Sequence, residues 1–353
     1  MITIGVDAHK RVHVGLALDD TGRELGQWRG PNSAVGWQDF VQWAAVFGAE
    51  RRVGIEGAWG YGRGLAQHLV GQGAVVYEVN ARWTAIGRRS ARKADKTDRL
   101  DARAVALFVH REGHALSAVA ADDETAILDL LATERDSAIG EATRLRNQIH
   151  ALLLQLDPEY QLDMPAMKSQ VGLAKLRTYT ASDERPLSQE RAAAVRRLTE
   201  RLALALTQAD VLGVRIRAEA AVHFAPLTKL CGVNSLTAGM LAGILGPGRR
   251  FASDAALAAY GGVSPLEASS AGHVRHRLNR GGNRRLNAIL YMIALSQARH
   301  SEQARTYLAR RVSEGKTKRE AMRALKRYLV RAIWRLWQEC FPSPEVLPQL
   351  LAV

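Results

Sequence analysis

Cysteine is almost missing: Cys231 and Cys340 are the only two in 353 residues, too few and too far apart for a disulfide framework or a structural zinc site. Long apolar runs are missing as well. No segment approaches the roughly 18 consecutive apolar residues of a membrane span, and residues 1–20 lack the apolar stretch of a secretory signal, so a cytosolic protein with no membrane partner is expected. There is no low-complexity tract, and with 47% hydrophobic residues the chain cannot be disordered as a whole. Acidic residues are the scarcer charge: 35 Asp and Glu against 49 Lys and Arg leave a formal net charge of +14. A soluble chain that basic attracts polyanions, nucleic acid first. No aromatic-rich RNA-binding signature accompanies the charge, which therefore does not choose between duplex DNA and structured RNA.

What is present begins as a mixed sheet. Residues 2–6 run apolar into Asp7, and a second β-branched run, Val12 to Leu18, ends at Asp19-Asp20-Thr21-Gly22. A third short strand is expected over Glu24 to Arg29, followed by a helix that opens at Pro31-Asn32-Ser33 and carries Val35, Trp37, Phe40, Val41 and Trp43. Arg52 to Ile55 reads as a fourth strand ending at Glu56, and Gly57-Ala58-Trp59-Gly60-Tyr61-Gly62 leads into a helix with Leu65, His68 and Leu69. Ala74 to Val79 gives a fifth strand, and a basic stretch of Arg82, Arg88, Arg89, Arg92 and Lys93 follows.

Next comes Lys96-Thr97-Asp98-Arg99-Leu100-Asp101-Ala102, which reads as a helix N-terminus with Thr97 as N-cap and Asp98 where the helix dipole favours negative charge. Asp98 and Asp101 share one helical face. Carboxylates held that close repel unless a cation lies between them or one stays protonated. The pair is thus a candidate half of a hard-metal site for Mg²⁺ or Mn²⁺.

Residues 123–156 and 187–222 each carry one apolar stripe and suggest an antiparallel helical pair or coiled-coil arm, with residues 157–186 as its tip. From Leu227 the composition changes again. Leu230 to Ala238 resembles a helix-hairpin-helix turn, with Asn234 where a second glycine is usual and a left-handed backbone expected there. Tyr260-Gly261-Gly262-Val263-Ser264-Pro265 precedes a polar stretch, and Arg275, Arg277, Arg280, Arg284 and Arg285 surround Gly281-Gly282 as a candidate phosphate-gripping loop. Lys316 to Trp337 reads as an amphipathic helix with Leu325, Leu329, Ile333 and Trp337 inside and Lys318, Arg319, Lys326 and Arg327 largely outside. The expected domains are 1–118, 119–225 and 226–353.

Four acids fall at telling places: Asp7 and Glu56 at strand ends, and Asp98 and Asp101 on the helix after the last strand. Segments leaving adjacent strands of an open sheet converge at one edge, and four converging carboxylates can hold two divalent ions about 4 Å apart for phosphodiester chemistry. This is a ribonuclease H-like core in outline.

The strings GVDAHK, IEGAWGYG and KTDRLDA, with the later GGVSPLEASSAG and RLNRGGNRRLN, resemble the IS110/IS1111 transposases, also called bridge-RNA-guided recombinases. The resemblance spans nearly the whole chain. It implies an N-terminal RuvC-like DEDD domain with an α/β mixed sheet, a helical coiled-coil region and a mainly α C-terminal transposase domain with a serine nucleophile. Carried over residue by residue, the DEDD set falls on Asp7, Glu56, Asp98 and Asp101, with Asp95 as a spare, and the serine on Ser270, with Ser269 as competitor. Ala271 stands where the family has glycine. The resemblance further implies donor and target double-stranded DNA, a guide RNA encoded by the element, and a place in the bacterial cytosol or nucleoid. Strand exchange between two duplexes calls for a homodimer or tetramer. Two other readings stay open: a Mg²⁺-dependent nuclease or junction resolvase that hydrolyses DNA without a covalent intermediate, and a non-catalytic nucleic-acid-binding protein.

Overall fold

The computed structural model describes residues 1–80, 97–113, 116, 118–247, 250–264, 266–267, 276–277 and 281–341. They form two units, one of Met1–Asp123 with Arg249–Ala252, the other of Glu124–Gly248 with Ser253–Val353.

In the first unit, β1 (Ile2–Ala8), β2 (Val12–Leu18) and β3 (Glu24–Pro31) form an antiparallel meander, and β3 runs on past the Arg29 expected from sequence. The chain then crosses over through α1 (Ala34–Ala45), capped by Ser33, to β4 (Arg51–Glu56), which pairs parallel with β1. A second crossover through α2 (Arg63–Gly71) adds β5 (Val75–Val79), giving the order β3-β2-β1-β4-β5. β1 lies in the middle and is covered on both faces, which is why its sequence is almost continuously apolar. On one face Ile4, Val6, Val53, Ile55 and Val76 pack with Phe40, Ala44, Leu65 and Leu69.

The other face takes α3 (Asp98–Glu112), and glycine decides how closely. A Cβ on Gly5 would lie 2.2 Å from the Ala106 amide nitrogen and 2.3 Å from the Ala102 carbonyl oxygen, and one on Gly54 would lie 2.3 Å from Val109. The helix backbone therefore rests on the sheet itself. Ala102 and Ala106 pack with Val14, Leu16 and Leu18, while Val105 and Val109 pack with Val79. Arg52 donates to the carbonyl of His110 at 2.9 Å, so α3 runs back along the sheet and starts at the edge where β1 and β4 end.

In the second unit α4 (Glu124–Leu156) and α6 (Pro186–His223) form an antiparallel hairpin, with Arg201 of α6 paired to Glu141 of α4. At 1.5 Å per residue each arm is about 50 to 57 Å long. Its far end is closed by Tyr160, Met167 and α5 (Gln170–Arg177), whose Leu173 and Leu176 join Ile149, Leu153, Val195 and Leu202 in one core. α7 (Ser235–Leu245) lies close against the hairpin, since a Cβ on Gly239 would meet Ile216 at 2.5 Å and one on Gly243 the Asp129 amide at 2.5 Å. The turn before α7 differs from the expectation. Gly232 takes the left-handed conformation, at φ +89°, whereas Asn234 is extended and caps α7 by accepting from the Thr237 amide at 2.9 Å. α8 (Asp254–Tyr260), the short paired strands β6 (Leu266–Glu267) and β7 (His276–Arg277), α9 (Arg284–His300), α10 (Glu302–Ser313) and α11 (Lys318–Glu339) complete the unit. Among the described residues no helix is long and apolar enough to cross a membrane.

One expectation for α11 fails. Lys326, placed outside by its position on the helical wheel, is buried, and its Nζ donates to Asn287 Oδ1 at 2.8 Å. Arg327 is drawn into an ion pair with Asp254 at 3.0 Å.

Candidate metal centre

Strand pairing assembles the first half of the site. Asp7 and Glu56 are register partners at the ends of β1 and β4, so both side chains leave the sheet on one face. This is the face that carries α3. Thr97 caps that helix, accepting from the Leu100 amide at 3.3 Å, and so fixes its first turn at the same edge. Asp101 is buried and Asp98 half exposed. The four acids expected from sequence thus arise from three separate stretches and meet at one edge.

His9 joins them. Its Nε2 lies 3.0 Å from Asp7 Oδ2 and 3.6 Å from Asp98 Oδ1. The three side chains can each offer one ligand atom to a common point, all within 4.8 Å of one another. Burial raises the Asp7 pKa above its ordinary value; His9 pulls it down, and the nearby charges of Asp101 and Glu56 push it further up. A buried carboxylate crowded by two others, with one imidazole to offset them among the described residues, is the environment that a divalent cation neutralises. The donor set, carboxylate oxygens with one imidazole nitrogen, therefore fits a divalent ion. His9 escaped the sequence reading, although it stands two residues after Asp7 in GVDAHK, where the strand ends and the chain turns back.

The opposite face of the sheet holds a second perturbed acid. Glu78 of β5 pairs in register with Ile55, so its side chain leaves the face opposite Asp7 and Glu56. It accepts from the amides of Ala58 and Trp59, its second oxygen has no partner, and burial pushes its pKa up to about 7.

In the second unit the two ends of segment 264–281 are clasped together. The Asn283 amide donates to the Tyr260 carbonyl at 2.6 Å, and its side chain to the Tyr260 hydroxyl at 2.8 Å. Gly282 touches Gly262 backbone to backbone, with no room for a Cβ. Asn287 donates to the Gly261 carbonyl at 2.8 Å and is itself held by Lys326. Ser269 and Ser270 lie outside the described residues, as do Asp95, Arg275, Arg280 and the basic stretch from Arg82 to Lys93, together with the side chain of Arg277. Arg284 opens α9. Arg285 is engaged elsewhere: it bonds Asp136 at 3.1 Å, Asp129 at 3.0 Å and Thr133 at 3.0 Å on α4. That guanidinium ties α9 to the hairpin.

Two family models match the chain. The DEDD transposase model of IS110 covers residues 4–158, and the model of the IS116/IS110/IS902 transposase family covers residues 225–309. A relative from Streptomyces coelicolor, the insertion element IS110 uncharacterized 43.6 kDa protein, is 26% identical over 385 aligned positions spanning 96% of this chain and 94% of the relative.

Proposed function

The chain belongs to the IS110 family of insertion-element transposases, and from that premise we propose that it cuts and rejoins DNA strands with Asp7, Glu56, Asp98 and Asp101 as its metal-holding half and Ser270 as its nucleophile. Ser269 is the alternative nucleophile. The observation that carries this reading is the meeting of Asp7 and Glu56 across β1 and β4 beneath the first turn of α3. His9 belongs to the same centre, as a further ligand or as the partner that orients Asp7 and Asp98.

These acids would hold a divalent cation, Mg²⁺ in this reading, which would supply charge stabilisation at the phosphate oxygens. The serine Oγ attacks the phosphorus and gives up its proton, a phosphoserine ester forms, and the displaced strand leaves as a hydroxyl. The reverse attack by a new strand's hydroxyl rejoins DNA and returns the proton to serine. One phosphoester replaces another at each step, so no nucleotide cofactor is consumed. Arg275, Arg277, Arg280 and Arg284 would face the phosphates; Arg285 is left out because its Nε and Nη1 are committed to α4 and its Nη2 is buried. The net charge of +14 suits nucleic acid of either kind, and a guide RNA encoded by the element enters this reading through the family. Exchange between two duplexes calls for at least two copies of the chain.

The test is adduct trapping. Full-length protein incubated with element-end DNA and Mg²⁺ should yield a denaturant-resistant protein–DNA species. It should disappear in Ser270→Ala, or in Ser269→Ala if that is the nucleophile, and in Asp98→Asn. Cutting without any adduct would instead establish hydrolysis by water, and binding without cutting would remove the enzymatic reading.

A further inference from the structure

The turn between β4 and α2 is pinned at every level except its aromatic rings. Gly57 takes a φ of +71°, and its carbonyl accepts from the Gly60 amide at 2.8 Å and the Gly62 amide at 3.1 Å. Gly62 has no space for a side chain: a Cβ there would lie 2.5 Å from Ile55 and 3.2 Å from Ala8, so the turn is pressed onto the ends of β1 and β4. Asn32 bridges the Tyr61 carbonyl at 3.2 Å and the Lys10 carbonyl at 3.4 Å, tying the turn to the one that carries His9. Glu78 accepts the Ala58 and Trp59 amides.

On this fixed backbone two large rings stay in water, Tyr61 at 59% and Trp59 at 38% exposed. The folded unit gains nothing by exposing them, and their rigid mounting removes most of the ordering cost that a ligand would otherwise meet. Cations stand beside the Trp59 ring, one of them, Arg63, also paired to Asp122 at 2.8 Å. The guanidinium of Arg63 lies 5.8 Å from the Trp59 ring centroid and that of Arg250, in the same unit, 5.7 Å, while Lys10 and Arg11 are exposed on the neighbouring turn. Exposed aromatic faces set among cations suit the flat face of a nucleobase and its phosphate, not an apolar protein surface.

We propose that Tyr61 and Trp59 form a stacking platform for one or two unpaired bases of the DNA strand whose phosphate enters the carboxylate centre. The assignment rests on the cleavage reading above and names the substrate state that the centre takes: a strand locally unpaired beside the cut. DNA is the occupant because the rings follow Glu56 by three and five residues, so the base they hold belongs to the strand that is cut.

The test uses full-length protein in the Asp98→Asn background, so that the strand stays intact, with single-stranded DNA carrying 2-aminopurine at successive positions. Fluorescence should be quenched at one or two adjacent positions. Tyr61→Ala and Trp59→Ala should each abolish that local quenching and weaken binding by about tenfold, whereas Tyr61→Phe should retain both. An unchanged quenching map and affinity in both alanine variants would overturn the platform. Quenching with the RNA analogue but not with DNA would overturn the choice of strand. Metal-dependent cutting by the wild-type chain without Tyr61-dependent quenching defeats the platform alone; Tyr61-dependent quenching without cutting supports the platform and defeats the cleavage reading.

Discussion

Asp7 lies directly across from Glu56 on the parallel β1–β4 pair, although β2, β3 and α1 separate them in sequence. The two carboxylates are delivered by backbone pairing and not by flexible loops. Neutralising either one should therefore change chemistry without changing the fold. Asp7→Asn is expected to lower the rate of metal-dependent strand cutting by about 100-fold or more, the scale of losing one charge-stabilising group, while DNA affinity stays near wild type and the metal-free urea midpoint does not fall. Comparable cutting rates in the two proteins would remove Asp7 from the centre.

His9 touches both Asp7 and Asp98. As a ligand or an orienting partner its loss should appear as weaker metal binding, about 10- to 100-fold for His9→Gln. Cutting rates followed against Mg²⁺ concentration check this: the half-saturating concentration should rise, with partial recovery at high metal. A lower plateau with an unshifted midpoint would place His9 outside metal binding.

Gly5 sets the distance between β1 and α3. Gly5→Ala forces a methyl group into the Ala102 carbonyl and the Ala106 amide, and overpacking of this kind costs about 1–3 kcal/mol. Urea unfolding should show that loss. Because the same shift moves Asp98 and Asp101 away from Asp7, cutting should fall even where the variant is fully folded.

Glu78 supplies a pH dependence. Its pKa rises from an ordinary 4.5 to about 7 in the fold. Between those values the folded chain holds a proton that the unfolded chain has released, so stability falls as pH rises through the window and levels off above it. Glu78→Gln, uncharged throughout, should flatten that slope and be the more stable protein at pH 8, by on the order of 1–2 kcal/mol. Denaturation midpoints at pH 5 and pH 8 measure it; parallel slopes for the two proteins would rule the effect out.

Lys326 holds Asn287, which holds the Gly261 carbonyl at the neck of segment 264–281. Lys326→Met keeps the apolar stem but leaves the Asn287 oxygen unsatisfied, a cost of about 1–3 kcal/mol. If the neck also sets the register of the segment that contains Ser270, trapped adduct should fall further than the stability loss explains while DNA binding persists. Adduct yield at a temperature where both proteins are folded separates the two effects.

Much of this was legible in the chain. Apolar runs ending at Asp7 and Glu56 marked β1 and β4, and the Thr97 cap with two acids one turn apart marked the start of α3, because strand pattern and capping are local properties. The five-stranded mixed sheet and the helices that follow it match the fold expected. The parts that were hidden depend on distant partners. Lys326 reads as surface until Asn287 of another helix meets it. Arg285 reads as a phosphate ligand until Asp129 and Asp136 occupy it. His9 reads as an ordinary turn residue until α3 brings Asp98 alongside. Asn234 was expected in a left-handed turn, but its side chain is better used as a cap and Gly232 supplies the left-handed residue instead.

The direct seating of α3 on glycines of two different strands has a consequence during synthesis. No fragment shorter than about the first 112 residues contains every element that the pocket requires, because the helix bearing Asp98 and Asp101 ends at Glu112 and must dock on a sheet already paired between β1 and β4. A ribosome-bound chain stalled before that point carries Asp7 and Glu56 and has no means of joining them to the other two acids. The four acids therefore come together only when the helix has been made and has docked on the paired strands.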